Sequence, residues 1–184
     1  MRTAITKYFV GLGMVSAIAF TSVQAEAAGE TFRLGLSATK LDTSYDGPAF
    51  GGSNESSITI LGLKAGTYFG RIYVGGVYDS RTDESGGSKT ERTGYGATVG
   101  YHQGGWFIDG SYYLSSAIKS GSIEFKEGSG FGVDVGRNFD VMSNVFLGLQ
   151  ISYRSFSYKK LGSLDQENKL KSELTPMLNV GLAF

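Results

Sequence analysis

Few residues in this chain combine type and spacing in a way that supports covalent chemistry. There is one histidine, His102, in "GYHQGG", and there is no cysteine. A nucleophile needs a base within hydrogen-bond reach. No serine lies two residues on from His102, so the residue reads as a polar side chain at a strand end. The glycine clusters "GYGATVG" and "GSGFG" are not phosphate loops, because no helical periodicity follows them. Asp165 and Glu167 in "LDQENK" offer two carboxylates where a cation site wants about six oxygens in a fixed loop, and they read as a solvated loop. Another set of charged residues stands out by position: Arg33, Lys64, Arg92, Asp109, Asp134, Arg154, Lys171 and Glu173 share a sequence phase otherwise filled with glycine. Charges of both signs in one enclosed phase must pair, since an unpaired buried charge is costly.

Strands are the elements that set this phase. Period-two alternation recurs in "TFRLGLSATK", "SITILGLKAG", "RIYVGGVYDS", "GYGATVGYH", "WFIDGSYYLS", a segment from about Ile123 to Asn138, "VFLGLQISYRS" and "LTPMLNVGLAF". Within "SITILGLKAG" the pattern is uneven: Leu61, Leu63 and Ala65 share a phase, whereas Ile58 and Ile60 fall in the polar one. Eight strands with 28 Gly and 2 Pro in 184 residues point to an all-β single domain. The connectors alternate. Longer or more polar ones ("LDTSYDGPAFGGSNES", "SRTDESGGSKTE", "AIKSGS", "KKLGSLDQENK") follow odd strands, and tight ones ("AGTYFG", "QGG", "DVMSN") follow even strands.

The first 25 residues read as a secretory signal peptide. Arg2 and Lys7 precede an apolar run from Tyr8 to Phe20, and Val23-Gln24-Ala25 is a small-x-small cleavage site; Ala27 or Ala28 would also serve. The run is too short for a transmembrane helix. The chain holds 17 basic and 17 acidic residues, so losing Arg2 and Lys7 leaves 15 against 17, a charge of −2. That balance is not that of a nucleic-acid binder. Residues 26–184 form the predicted barrel domain.

Alternation alone suits a soluble eight-stranded barrel as well as a membrane one. The glycine-rich polar phase decides for the membrane form. Glycine weakens a strand unless something forbids a side chain, and the narrow interior of an eight-stranded barrel is such a constraint. In the apolar phase Tyr78, Tyr101, Trp106, Tyr112 and Tyr153 lie near strand ends, where amphipathic rings suit lipid headgroups.

The export segment, the eight alternating strands and the terminal aromatic together resemble the small outer-membrane β-barrel proteins of the OmpX and OmpA transmembrane-domain type, over essentially the whole mature chain. The resemblance implies an up-and-down transmembrane β-barrel in the cell outer membrane, both termini periplasmic. It also implies that Val180, Leu182 and Phe184 belong to the signal read by the barrel assembly machinery. No cofactor or metal is expected.

The expected function is that of a non-enzymatic, monomeric barrel with a filled polar lumen, acting in envelope integrity or in adhesion through its loops. One alternative is a small pore for ions or solutes, and a second is a lipid A-modifying enzyme of the outer leaflet. Lys119, Lys126, Lys159 and Lys160 are candidate contacts for lipopolysaccharide phosphates. Tyr45, Pro48 and Phe50 in the first long connector are candidates for an extracellular protein contact.

Overall fold

The structure is a computed structural model that describes residues 32–47, 52–121, 123–161, 164–169 and 173–184. The export segment, Pro48, Phe50 and Lys171 lie outside the described residues. Nine strands are present among the described residues: β1 (Phe32–Gly47), β2 (Gly52–Phe69), β3 (Ile72–Ser85), β4 (Ser88–Gln103), β5 (Trp106–Ser120), β6 (Ile123–Met142), β7 (Val145–Leu161), β8 (Leu164–Lys169) and β9 (Glu173–Ala183). All pairings are antiparallel, each strand with the next from β1 to β7. β9 pairs with both β7 and β1 and closes the ring. β8 pairs along the same edge of β7 above β9, so the nine segments make eight staves.

The ring is staggered. Paired positions lead from Arg33 through Gly66, Gly75, Thr98, Ser111, Gly132 and Arg154 to Glu173. Arg33 itself pairs with Ala183, ten residues beyond Glu173 on the same stave. A closed eight-strand sheet with such a stagger has strands tilted by about 40°. Closure leaves no edge over the paired height, which a sheet in lipid requires.

The strands run further than the apolar alternation indicates. "SRTDESGGSKTE" was expected as a connector, but it is the continuation of β3 and β4 around a two-residue turn at Gly86 and Gly87, with φ of 56° and 79°. Two successive positive φ values make the type I′ turn whose twist suits a tight hairpin. Most of "LDTSYDGPAFGGSNES", "AIKSGS" and "KKLGSLDQENK" likewise lies in strands. Ladder bonds hold whether or not the outward residues are apolar. Polar outward positions therefore end the alternation before they end the strand.

Inside and outside separate by parity. Trp106, Ile108, Tyr112 and Leu114 of β5 are exposed while Phe107, Asp109, Ser111 and Tyr113 are buried. Each stave presents a similar outward apolar run, such as Leu147, Leu149 and Ile151 or Leu178, Val180 and Leu182. Trp106 to Leu114 alone covers about 20 Å along the axis at that tilt. Above it the outward residues change to Lys40, Asp42, Glu84, Lys89, Glu91, Lys119 and Lys159, all exposed.

Candidate functional site

The site is the lumen, and its side chains come from opposite staves. Lys64 on β2 reaches Asp109 on β5 at 2.5 Å and Asp134 on β6 at 2.7 Å. Asp134 takes two bonds from the Arg154 guanidinium on β7, Nη1 to Oδ1 at 2.7 Å and Nη2 to Oδ2 at 3.1 Å. Arg154 Nε lies 3.8 Å from Asp79 Oδ2 on β3, and Asp79 Oδ1 accepts from Arg92 Nη2 on β4 at 2.8 Å. Charges thus alternate in an unbroken chain, with Asp79 and Asp134 essentially without solvent exposure. Bidentate geometry and shared partners are what make buried ion pairs tolerable. Glycine supplies the room: a Cβ on Gly132 would stand 2.9 Å from Arg154 Nη1.

The lower end of the chain of charges continues into a ring cluster. His102 Nε2 lies 2.7 Å from Asp109 Oδ1, and Nδ1 lies 2.9 Å from the Tyr68 hydroxyl. A carboxylate only accepts, so Nε2 carries a proton, and in the neutral imidazole Nδ1 accepts from Tyr68. Tyr68 in turn accepts from Arg33 Nη1 at 2.9 Å. Arg33 covers the Phe146 ring at 3.7 Å, and His102 is flanked by Tyr73 and Phe107. Carboxylate, imidazole and hydroxyl stand in the order of a nucleophile relay. The adjoining cavity, however, is about 20 Å³, room for one water and not for an acyl substrate.

The upper lumen is apolar. Val77, Tyr113, Ile118, Phe156 and Tyr158 form one buried cluster, with Phe125 against it. Tyr113 and Phe156 stack with centroids 4.9 Å apart, and Arg92 caps the Phe156 ring at 4.4 Å. Tyr158 and Ser116 hydroxyls meet at 2.8 Å. This plug packs beside and above the ion pairs, with Val77 opposite Lys64 in the β2–β3 ladder.

Among the residues singled out from sequence, Arg33, Lys64, Arg92, Asp109, Asp134 and Arg154 meet in the lumen. Glu173 lies in β9 with its side chain outside the described residues. Asp165, Glu167 and Tyr45 lie in β8 and β1 and not in loops. Lys119, Lys126 and Lys159 are exposed above the apolar belt, and Lys126 meets Glu124 at 3.0 Å. Lys160 pairs with Glu127. Val180, Leu182 and Phe184 face outward at the lower end.

Sequence reasoning missed Asp79, which joins Arg92 to Arg154. It also missed the part His102 takes in the network and the whole aromatic plug. Parity carried the signal for Asp79, since it alternates with the outward Tyr78.

On the outer surface, the hydrogen bond between Lys89 and Glu91 raises the lysine's pKa and lowers the carboxylate's. Their atoms are 2.6 Å apart.

The chain matches no family model and no curated protein. Among solved structures it is similar to the Neisserial surface protein A, at 17% identity and a TM-score of 0.44, covering 83% of this chain and 96% of that one. It is also similar to the beta domain of the Bordetella autotransporter BrkA, at 15% identity and a TM-score of 0.36, covering 83% and 68%.

Proposed function

We propose that the protein is an integral outer-membrane barrel with a filled lumen, acting structurally or through its upper hairpins and not as an enzyme. One observation carries this reading: the faces exchange polarity along the staves. Over the lower part, leucine, valine and aromatic side chains point out and the buried ion pairs point in. Such a wall facing water would leave its largest apolar area unburied. Its height approaches the roughly 25 Å band of outer-membrane barrels. Above it the arrangement reverses to that of a soluble domain.

On this reading the N-terminal segment is removed on export and both termini of the mature chain face the periplasm. Val180, Leu182 and Phe184 serve assembly, and Lys119, Lys126, Lys159 and Lys160 meet lipopolysaccharide phosphates. The chain of ion pairs and the aromatic plug oppose conduction, since a passing ion would have to break buried pairs.

The test is fractionation with gel migration. The protein should be recovered with outer membranes and should migrate differently in SDS before and after boiling. Recovery in the soluble periplasm with no heat shift would reject the reading. Steady single-channel steps in planar bilayers would reject the filled lumen.

A further inference from the structure

Arg137 stands in the outward phase of the wall, among side chains suited to lipid. Its neighbours on β6, Gly136 and Asn138, are buried and face the lumen, whereas Val135 is exposed on the outside. Alternation therefore puts Arg137 on the same face as Val135 and Phe139. The ladders set it opposite Trp106, the first residue of β5, and opposite Leu149 of β7. This level is the lower border of the apolar belt.

The guanidinium rests between two rings, with Cζ 5.4 Å from the Trp106 ring centroid and 5.0 Å from that of Phe139. Ring faces attract a cation, but tryptophan and phenylalanine offer its N–H groups no acceptor. Among the described residues no ion pair or hydrogen bond reaches the Arg137 side chain, and its Nε is covered without a partner. The nearest acids along β6, Asp134 and Asp140, lie three residues away on either side and so in the opposite phase. Asp134 is already held by Lys64 and Arg154. Inside the lumen, arginines meet carboxylates; on the wall, Arg137 is stacked in place and left without an anion.

We propose that Arg137, held between Trp106 and Phe139, binds the phosphate of a phospholipid in the periplasmic leaflet. The proposal rests on the membrane reading above. A charge on a lipid-facing wall costs least near an interface, and the anion at that level is the lipid phosphate. A guanidinium fork matches two phosphate oxygens with parallel N–H bonds. The wall above favours a lipid over a free phosphate: Ile108 and Val135, paired with each other one outward step higher, are both exposed and offer apolar surface to the acyl chains. Stacking orders the arginine beforehand, so binding loses little side-chain freedom.

Trp106 is the chain's one tryptophan, so the site carries its own fluorophore. The barrel is reconstituted in phosphatidylcholine vesicles that contain a rising fraction of either phosphatidylcholine or diacylglycerol, each brominated near the head of one acyl chain. Quenching of Trp106 then reports which lipid lies against it. The wild type should prefer the phospholipid over the phosphate-free diacylglycerol, and Arg137→Gln should reduce that preference about fivefold. Arg71→Gln removes another charge from the same end, at an exposed turn residue bonded to Tyr101, and should leave the preference intact. Arg137→Leu replaces the glutamine variant if heat-dependent migration shows that the latter assembles poorly. Glycerophosphocholine, the headgroup without chains, should not restore fluorescence when added to the water. If vesicles made wholly of brominated phosphatidylcholine leave Trp106 unquenched, the membrane reading fails. If they quench it but the preference is unchanged in the Arg137 variants, or falls equally in Arg71→Gln, the phosphate site is overturned. Recovery of fluorescence with glycerophosphocholine would overturn the lipid as its occupant.

Discussion

The lower and upper parts of this barrel are built from the same staves and obey opposite rules. Below, Asp109 and Asp134 are inside while Val99, Leu149 and Trp106 are outside; above, Ile118, Phe156 and Tyr158 are inside while Lys89, Glu91 and Lys159 are outside. The backbone does not register the change, since β4 runs from Ser88 to Gln103 without a break. Hydrogen bonding fixes the strand, and the surroundings fix which side chains suit each face. A buried pair of charges is acceptable where the lumen provides partners, and a leucine on the outside is acceptable where lipid replaces water.

Substitutions that ignore the difference between the two parts should reveal it. The largest effect is expected for Asp134→Ala, which leaves Lys64 and Arg154 short of their shared carboxylate. Breaking a buried pair in this way costs about 3–5 kcal/mol, read as a fall in the urea midpoint of the folded barrel in vesicles. A loss below 1 kcal/mol would mean the lumen is hydrated enough to screen the pair. Next is Val99→Arg, a charge in the middle of the belt, expected to cost about 2–4 kcal/mol. Thr93→Arg, outward on the same strand but above the belt, should stay within about 0.5 kcal/mol. Equal costs at the two positions would erase the distinction between the parts.

Phe156→Leu should cost about 1 to 1.5 kcal/mol by loosening the stack on Tyr113, without change in outer-membrane recovery. The smallest effect concerns pH. Glu91 is held below the ordinary carboxylate value by Lys89, so its contribution is present above that value and is lost as pH falls through its lowered one. Lys89 is shifted up, so its part is lost only in strong alkali. Amide protection at the β3–β4 tip, taken relative to the intrinsic exchange rate at each pH, should therefore fall on acidification, and Glu91→Gln should abolish the dependence. The belt should show no such change.

Much of the lower part was legible in the sequence because two signals coincide there. Apolar alternation marks the outward phase, and glycine marks the inward one where Phe107, Tyr113 or Arg154 needs space. Neither signal reaches the upper part, where outward serine, threonine and lysine read as loop although the ladders continue. Ile58 and Ile60 broke the expected phase of the second strand, and the structure gives the reason: they lie inside, in the part where the polarity has reversed. Asp79 was legible by parity alone. The end of the β1–β9 ladder at Ala38 and Leu178 was not, because it depends on which way the Pro176 nitrogen faces, and that follows from pairing and not from composition. The cross-lumen pairing of Lys64 with Asp134 likewise joins staves far apart in the ring, and no local pattern encodes it.

The central claim is the exchange of polarity at one level of the ring. It is tested most directly by spin labels placed singly along β4 in vesicles, at Glu91, Thr93, Tyr95, Ala97, Val99 and Tyr101, with relaxation by lipid-soluble oxygen and by a water-soluble nickel chelate. The account predicts that oxygen dominates from Tyr95 to Tyr101 and nickel at Glu91 and Thr93, with the crossover between Thr93 and Tyr95. Nickel access at Ala97 and Val99 equal to that at Glu91 would contradict it.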